Sequence, residues 1–192
     1  MLQPAIFLDR DGTINFDPGY IKNPDEVYLF DGVAEGIRKL KGGFGFKIIV
    51  VSNQSGISRG LMTSEDVENV NARVNELLKA KGTSIDAFYY CPYHPDFNPP
   101  EKTICRKPSP FMILKAAEEH QIDLKRSYIV GDKVSDIGAG INANIKTVLL
   151  NMSGTDDEIS ILHNQGKKPN FVAANFSEAC DFIINDFSGG NS

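Results

Sequence analysis

Ile6-Phe7-Leu8-Asp9-Arg10-Asp11-Gly12-Thr13 is the stretch on which the fold turns. An apolar run feeds directly into two aspartates spaced i and i+2, and then into Gly and Thr. A short apolar run that stops at a turn signal has the pattern of a strand buried in a parallel sheet. Open α/β sheets collect their ligands beyond the carboxyl ends of such strands. Two carboxylates placed there meet water, a metal or a substrate rather than the core. The same residues also read as a strand followed by an Asp-Gly turn. Partners arriving at the same sheet edge from elsewhere in the chain separate these readings.

The chain of 192 residues suits one domain with a single sizeable core, expected over 1–187, with a Gly/Ser/Asn tail at 188–192 expected to be frayed or disordered. A net charge of −5 supplies no global basic field, which argues against nucleic acid or an anionic membrane surface as partner. Any anionic substrate must find local positive charge. There is no 18-residue apolar run and no signal-peptide pattern, and three cysteines, an odd number, argue against a disulfide framework. Cytoplasm is the expected compartment.

Strand-like and helix-like segments alternate along the chain. A looped excursion from Ile14 to Phe30 carries turn signals at Asp17-Pro18-Gly19-Tyr20 and Asn23-Pro24-Asp25. A helix over Asp31–Lys41 is expected to end at Gly42-Gly43, and Lys47–Val51 is a second buried strand leading into Ser52-Asn53-Gln54-Ser55. Thr63 and Asp66 approximate a capping box ahead of Val67, Val70, Val74, Leu77 and Leu78. Ala87–Cys91 is a third strand, followed by an irregular Pro-rich segment, Pro92–Pro108, and a helix over Ser109–Gln121. Ser127–Val130 leads into Gly131-Asp132-Lys133, and Val134–Ala143 reads as a helix despite Gly138 and Gly140. Thr147–Leu150 (strand), Asp156–Gln165 (helix), Phe171–Ala173 (strand) and Ser177–Asn185 (helix) complete the chain. Such β-α alternation with short links predicts a doubly wound, three-layer parallel sheet with helices on both faces.

The residues just beyond each strand carry the chemistry. Asp9 and Asp11 stand after the first, Ser52 at the end of the second, Arg106-Lys107 beyond the third, and Asp132 with Asp136 after the fourth. A doubly wound sheet gathers these at one edge. Carboxylates there suit a hard cation such as Mg²⁺, and a hydroxyl, backbone amides and a lysine facing it form a cradle for a phosphoryl group.

Asp9-Arg-Asp-Gly-Thr13, Ser52-Asn-Gln54, Lys107 and Gly131-Asp132-Lys-Val-Ser-Asp136 resemble the four motifs of the haloacid dehalogenase (HAD) superfamily of phosphatases. The chain resembles still more closely the D-glycero-D-manno-heptose-1,7-bisphosphate 7-phosphatases and related histidinol-phosphate phosphatases. The matching stretches are Pro4–Asn15, Asp17–Tyr20, Ser52–Ile57 with Arg59-Gly60, Tyr89–Pro92, Cys105–Pro108 and Val130–Asp136. The resemblance implies a Rossmann-like HAD fold in which Asp9 is the nucleophile and Asp11 the general acid and base. It implies Mg²⁺ on Asp9, the Asp11 carbonyl and Asp132, with phosphoryl stabilisation by Ser52 and Lys107. Substrate contacts are implied for Arg10, Asp17, Pro18, Gly19, Tyr20, Asn53, Gln54, Ser55, Arg106 and Lys133. Asp136 is expected to orient Lys107 or the metal shell, and Arg59 to be a solvated surface residue.

The family often holds a structural Zn²⁺ in the loop after the third strand. Here Tyr93 and Thr103 stand at two ligand positions; only Cys91 and Cys105 remain, with His94 a possible third. Zn²⁺ is therefore not expected, and the cysteines are expected as free thiols in a proline-stiffened loop. His120 and His163 are expected exposed and non-catalytic, and Cys180 in the core. The superfamily usually adds a cap domain after the first or third strand, but the insertions here are short loops, so no cap is expected. The expected reaction is Mg²⁺-dependent removal of the C7 phosphate of heptose 1,7-bisphosphate by a monomer. A histidinol-phosphate or broad sugar-phosphate phosphatase is the alternative, and a non-catalytic phosphate-ester binder the competing class.

Overall fold

The computed structural model describes residues 2–152, 154 and 157–189. β1 (Ala5–Leu8) is buried throughout, and its side chains alternate between two cores: Ile6 and Leu8 enter one, Ala5 and Phe7 the other. That two-residue period places β1 inside a sheet covered on both faces. The other strands are β2 (Lys47–Asn53), β3 (Ala87–Cys91), β4 (Tyr128–Gly131), β5 (Lys146–Leu150) and β6 (Phe171–Ala173). All neighbours run parallel, in the order β3-β2-β1-β4-β5-β6. After β3 the chain returns across the sheet to lay β4 on the free side of β1. The carboxyl ends of β1 and β4 therefore flank the point where strand order reverses, the ligand site of doubly wound sheets.

The helices are α1 (Val33–Phe44), α2 (Ser64–Ala80), α3 (Pro100–Thr103), α4 (Phe111–His120), α5 (Val134–Asn142), α6 (Asp157–Asn164) and α7 (Phe176–Gly189). α1, α2 and α7 cover one face with Ile37, Leu40, Val70, Val74, Leu78, Phe176 and Ile183. α4 and α5 cover the other with Met112, Ile113, Ala116 and Ala139. α6 closes a smaller cluster of Ile137, Leu149 and Leu162. Cys180 is buried in the first core. The capping box forms as read: Thr63 Oγ1 accepts from the Asp66 amide at 3.1 Å, and Asp66 Oδ2 from the Thr63 amide at 2.7 Å.

Three boundaries differ from expectation. α1 runs through Gly42 and Gly43 and stops at Gly45, which takes the left-handed conformation at φ +70°. Two glycines cost such a helix about 1 kcal/mol each, and the packing of Phe44 edge-on against Phe187, centroids 6.4 Å apart, opposes that loss. Phe187 explains the second difference: it also packs on Phe46 at 4.6 Å, so α7 continues through Ser188 and Gly189 instead of fraying there. Residues 190–192 of the expected tail and Asp156, the expected start of a helix, lie outside the described residues. Third, the Pro92–Pro108 segment contains α3 and closes on itself, because Cys91 and Cys105 form a disulfide. They are not the free thiols expected in a loop without Zn²⁺, and the odd cysteine count does not exclude this pair. The loop brings Cys105 back beside the end of β3, with the two Cα atoms 5.5 Å apart, inside the disulfide range.

The glycines of α5 have a packing reason. A Cβ at Gly140 would lie 2.4 Å from Ile129 Cγ2 and 2.5 Å from Thr147 Cγ2, so only glycine lets α5 seat this closely on β4 and β5. Gly140→Ala should lower stability by about 1–3 kcal/mol, a fall in Tm of roughly 2–10 °C; an unchanged Tm would contradict this contact. Thiol titration of the unreduced protein in denaturant should find one reactive thiol per chain, Cys180. Three would contradict the Cys91–Cys105 bond.

Candidate active site

The end of β1 is tied to β4 by the Asp9 amide, which donates to the Val130 carbonyl at 3.0 Å. Asp132 and Asp136 follow β4, the latter in the first turn of α5. Ligand oxygens of Asp9, Asp132 and Asp136 all lie within 4.8 Å of one another, the one such group of three or more acidic, His or Cys side chains among the described residues. Gly12 makes this possible: its φ is +82°, and a Cβ there would fall 2.4 Å from Asp132 Oδ2. Thr13 Oγ1 donates to Asp132 Oδ1 at 3.4 Å.

Lys107 enters this cluster from the opposite side and is 3% exposed. Its Nζ lies 2.8 Å from Asp9 Oδ1 and 2.5 Å from Asp136 Oδ1, and donates to the Val51 carbonyl at 2.7 Å. Asn53 grips the Lys107 backbone from both ends: its Oδ1 accepts from the Lys107 amide at 3.0 Å, and its Nδ2 donates to the Lys107 carbonyl at 3.2 Å. Burial pushes the Asp9 carboxyl up to about 7, although Lys107 pulls it down. Burial, reinforced by Asp9, also raises Asp132, and burial outweighs Lys107 at Asp136. Burial opposes the Lys107 charge, but Asp136 and Asp9 outweigh it and hold the ammonium above its ordinary value. Lys133 Nζ also lies 3.1 Å from Asp132 Oδ2, and three carboxylates against two lysines still leave a surplus of negative charge on oxygen donors, which fits a divalent hard cation.

Asp11 stands apart from this cluster. Arg10 donates to it through Nε at 3.0 Å and a terminal nitrogen at 2.6 Å, Asn15 Nδ2 at 3.0 Å and Gln54 Nε2 at 2.9 Å. Burial would raise its carboxyl, but Arg10 first and then Gln54 and Asn15 outweigh that and hold it below its ordinary value. Arg10, expected to touch substrate, does not reach the surface: it is 0% exposed and its guanidinium is committed to Asp11 and Asn71. The reason lies in the neighbouring turn, where the Arg10 carbonyl accepts from the amides of Thr13, Ile14 and Asn15 and carries its side chain inward.

A pocket of about 400 Å³ opens above these groups. Asp9, Asp11, Lys107, Asn53, Gln54 and Ser55 form its floor, while Asp17, Gly19, Tyr20, Arg106, Lys133 and Ser135 line the remainder. Gly19 donates its amide to Asp17 Oδ1 at 2.8 Å, shaping the turn that presents Tyr20, and Pro18 faces solvent outside the pocket lining. Ser52 is buried beneath, its Oγ accepting from Gln54 Nε2 at 3.2 Å. Arg59 is exposed as expected but not solitary. Its guanidinium lies 5.1 Å from the Phe97 ring centroid and 3.5 Å from His94 Nε2. His94 faces Arg59 and Asp96, and the sulfurs of Cys91 and Cys105 are joined to each other. His163 is exposed, whereas His120 is half-buried against Tyr89. Sequence reading missed Thr13, Asn15 and Asn71. The first two lie inside the opening stretch and its turn, but Asn71 sits mid-helix in α2 with no local signal.

A family model described as HAD-hydrolase-like matches residues 104–179. The D-glycero-beta-D-manno-heptose-1,7-bisphosphate 7-phosphatase of Yersinia pestis is 40% identical over 188 residues, 96% of this chain and 92% of that protein. The protein of the same name from Escherichia coli K12 is 44% identical over 154 residues, 79% and 80% of the two chains. The D,D-heptose 1,7-bisphosphate phosphatase of B. bronchiseptica, solved with magnesium and phosphate, superposes with a TM-score of 0.81 at 27% identity. That match covers 96% of this chain and 99% of the other.

Raised carboxyls destabilise the folded state as they ionise: their contribution is intact below the ordinary value of 3.8 and is lost as pH climbs through about 7, where Asp9 titrates. A cation on the cluster reverses that loss and competes with protons for the same oxygens. Saturating Mg²⁺ should therefore raise Tm more at pH 8 than at pH 5; at pH 8 a hundredfold excess over Kd stabilises by about 2.7 kcal/mol. An equal or larger shift at pH 5, read by thermal denaturation, would contradict a carboxylate cation site.

Proposed function

The chain belongs to the D-glycero-D-manno-heptose-1,7-bisphosphate 7-phosphatase family of HAD hydrolases, and from that we propose that it removes the C7 phosphate of a heptose 1,7-bisphosphate. It is a phosphatase, and the observation that carries its mechanism is one buried ammonium holding Asp9 at the floor of a pocket, with Asp11 alongside.

In this reading Asp9 attacks phosphorus in line. A bond from its carboxylate oxygen to phosphorus forms, the bond from phosphorus to the ester oxygen breaks, and Asp11 protonates the departing alkoxide. Asp11, now ionised, takes a proton from water, whose oxygen displaces Asp9 and releases phosphate. Arg10, Gln54 and Asn15 favour the ionised form from which this second, basic step starts, and the first, acidic step works against that bias. Lys107 and the Ser52 hydroxyl stabilise the charge on the transferring oxygens. Mg²⁺, held by Asp9, Asp132 and the Asp11 carbonyl, would supply further charge neutralisation there. Asp136 positions Lys107 and caps α5, its Oδ2 accepting from the Lys133 amide at 3.0 Å.

A bisphosphate is favoured by the cation left over. Arg106 lines the pocket and is not needed at the reacting phosphate, so it can pair with a second one, and Lys133, 3.1 Å from Asp132 Oδ2, stands beside it in the lining. Asp17, Gly19 and Tyr20 form the facing wall, with Asn53, Gln54 and Ser55 below. Histidinol phosphate, with one phosphate, is the second reading and leaves Arg106 unmatched. Among the described residues no helix is long and apolar enough to cross a membrane; we take the enzyme to act as a cytoplasmic, single-domain monomer without structural Zn²⁺.

Phosphate release from heptose 1,7-bisphosphate should exceed that from histidinol phosphate under equal Mg²⁺. Preference for histidinol phosphate would favour the second reading, and no release from either by folded protein would overturn the mechanism. Arg106→Ala should raise KM for the bisphosphate about 10- to 100-fold, the loss of one charge-assisted hydrogen bond, with kcat much less affected. An unchanged KM would remove Arg106 from the second-phosphate site.

A further inference from the structure

We propose that Asn71 is a positioning residue for this reaction: by fixing the buried Arg10 guanidinium, it sets where the Asp11 carboxyl stands relative to the leaving oxygen. The inference rests on the reading of Asp11 as the proton-transfer group. Arg10 is 0% exposed, so water cannot satisfy its donors. Two of its nitrogens go to Asp11, and a terminal nitrogen donates to Asn71 Oδ1 at 2.9 Å. Asn71 is itself only 7% exposed and belongs to α2, sixty-one residues away, whose apolar face is locked into the core by Val70 and Val74. The chain of contact therefore runs from a rigid helix through a planar fork to one carboxylate. A guanidinium offers its donors in fixed directions, so anchoring one arm orients the other two. Gln54 and Asn15 touch Asp11 from other sides, but both are amides on loops, and neither ties it to a packed helix.

If Asn71 served only to satisfy a buried donor, its removal would cost stability and affect every substrate alike. If it positions Asp11, its removal must act on proton delivery, which matters for a poor leaving group and hardly at all for a good one. Asn71→Leu and the milder Asn71→Ser should each be compared with wild type in single-turnover release of the alcohol, from heptose 1,7-bisphosphate (an alkyl ester) and from p-nitrophenyl phosphate. Asp11→Asn runs alongside. General acid catalysis supplies about 10²–10⁴-fold, so partial misplacement should slow the alkyl ester about tenfold or more while leaving p-nitrophenol release within about twofold. Equal slowing of both esters, or of neither, in the folded Ser variant would overturn the proposal. If Asp11→Asn itself shows no selective loss on the alkyl ester, the reading of Asp11 fails instead.

Discussion

One buried ammonium organises this molecule's chemistry. Lys107 stands between Asp9 and Asp136 with almost no access to water, and neither carboxylate could be buried so deeply without it. Removing one partner of such a cluster leaves an uncompensated charge in a medium that cannot solvate it, which costs several kcal/mol. Much of the nearby structure serves to keep that one atom in place. Asn53 holds the Lys107 backbone at the end of β2, the Val51 carbonyl takes its third donor, and Asn142 donates to the carbonyl of the next residue, Pro108, at 2.9 Å. The Cys91–Cys105 bond pins the segment just upstream of Arg106 and Lys107 to the end of β3.

The division between Asp9 and Asp11 arises from where their neighbours come from. Asp9 sits at the strand end, where the sheet delivers Lys107, Asp132 and Asp136, and burial raises its carboxyl. Asp11 lies past the strand, where Arg10, Asn15 and Gln54 surround it with donors and lower it. Two residues of the same type, two positions apart, are thereby given opposite proton affinities, and a divalent cation on the Asp9 cluster would favour the ionised Asp9 that the proposed attack needs. The turn at Gly12 separates them, and its lack of a side chain lets Asp132 stand beside it.

Most of this architecture was legible because it is local. The alternation of apolar runs with amphipathic segments pointed to the parallel sheet, and carboxylates at successive strand ends pointed to the site. The features that escaped are non-local or depend on packing. Arg10 read as a substrate contact because its neighbours are, yet its direction is set by a turn whose amides its own carbonyl accepts. Asn71 carries no motif and acquires its role only when α2 docks. α1 and α7 outrun their glycine stop signals because Phe44, Phe46 and Phe187 stabilise each other across the fold, a contact no local signal encodes. Cysteine parity could not reveal that a loop returns Cys105 to Cys91 while Cys180 stays apart in the core.

The central claim is that Asp9, held by Lys107 at the strand end, forms a covalent bond to phosphorus. Rapid acid quench during turnover of the bisphosphate, borohydride reduction of any acyl phosphate and peptide mass spectrometry test it most directly. Modification at Asp9 alone is the expected result. Modification at Asp11 or Asp132, or turnover with no trapped aspartate under conditions that accumulate the intermediate, would contradict it.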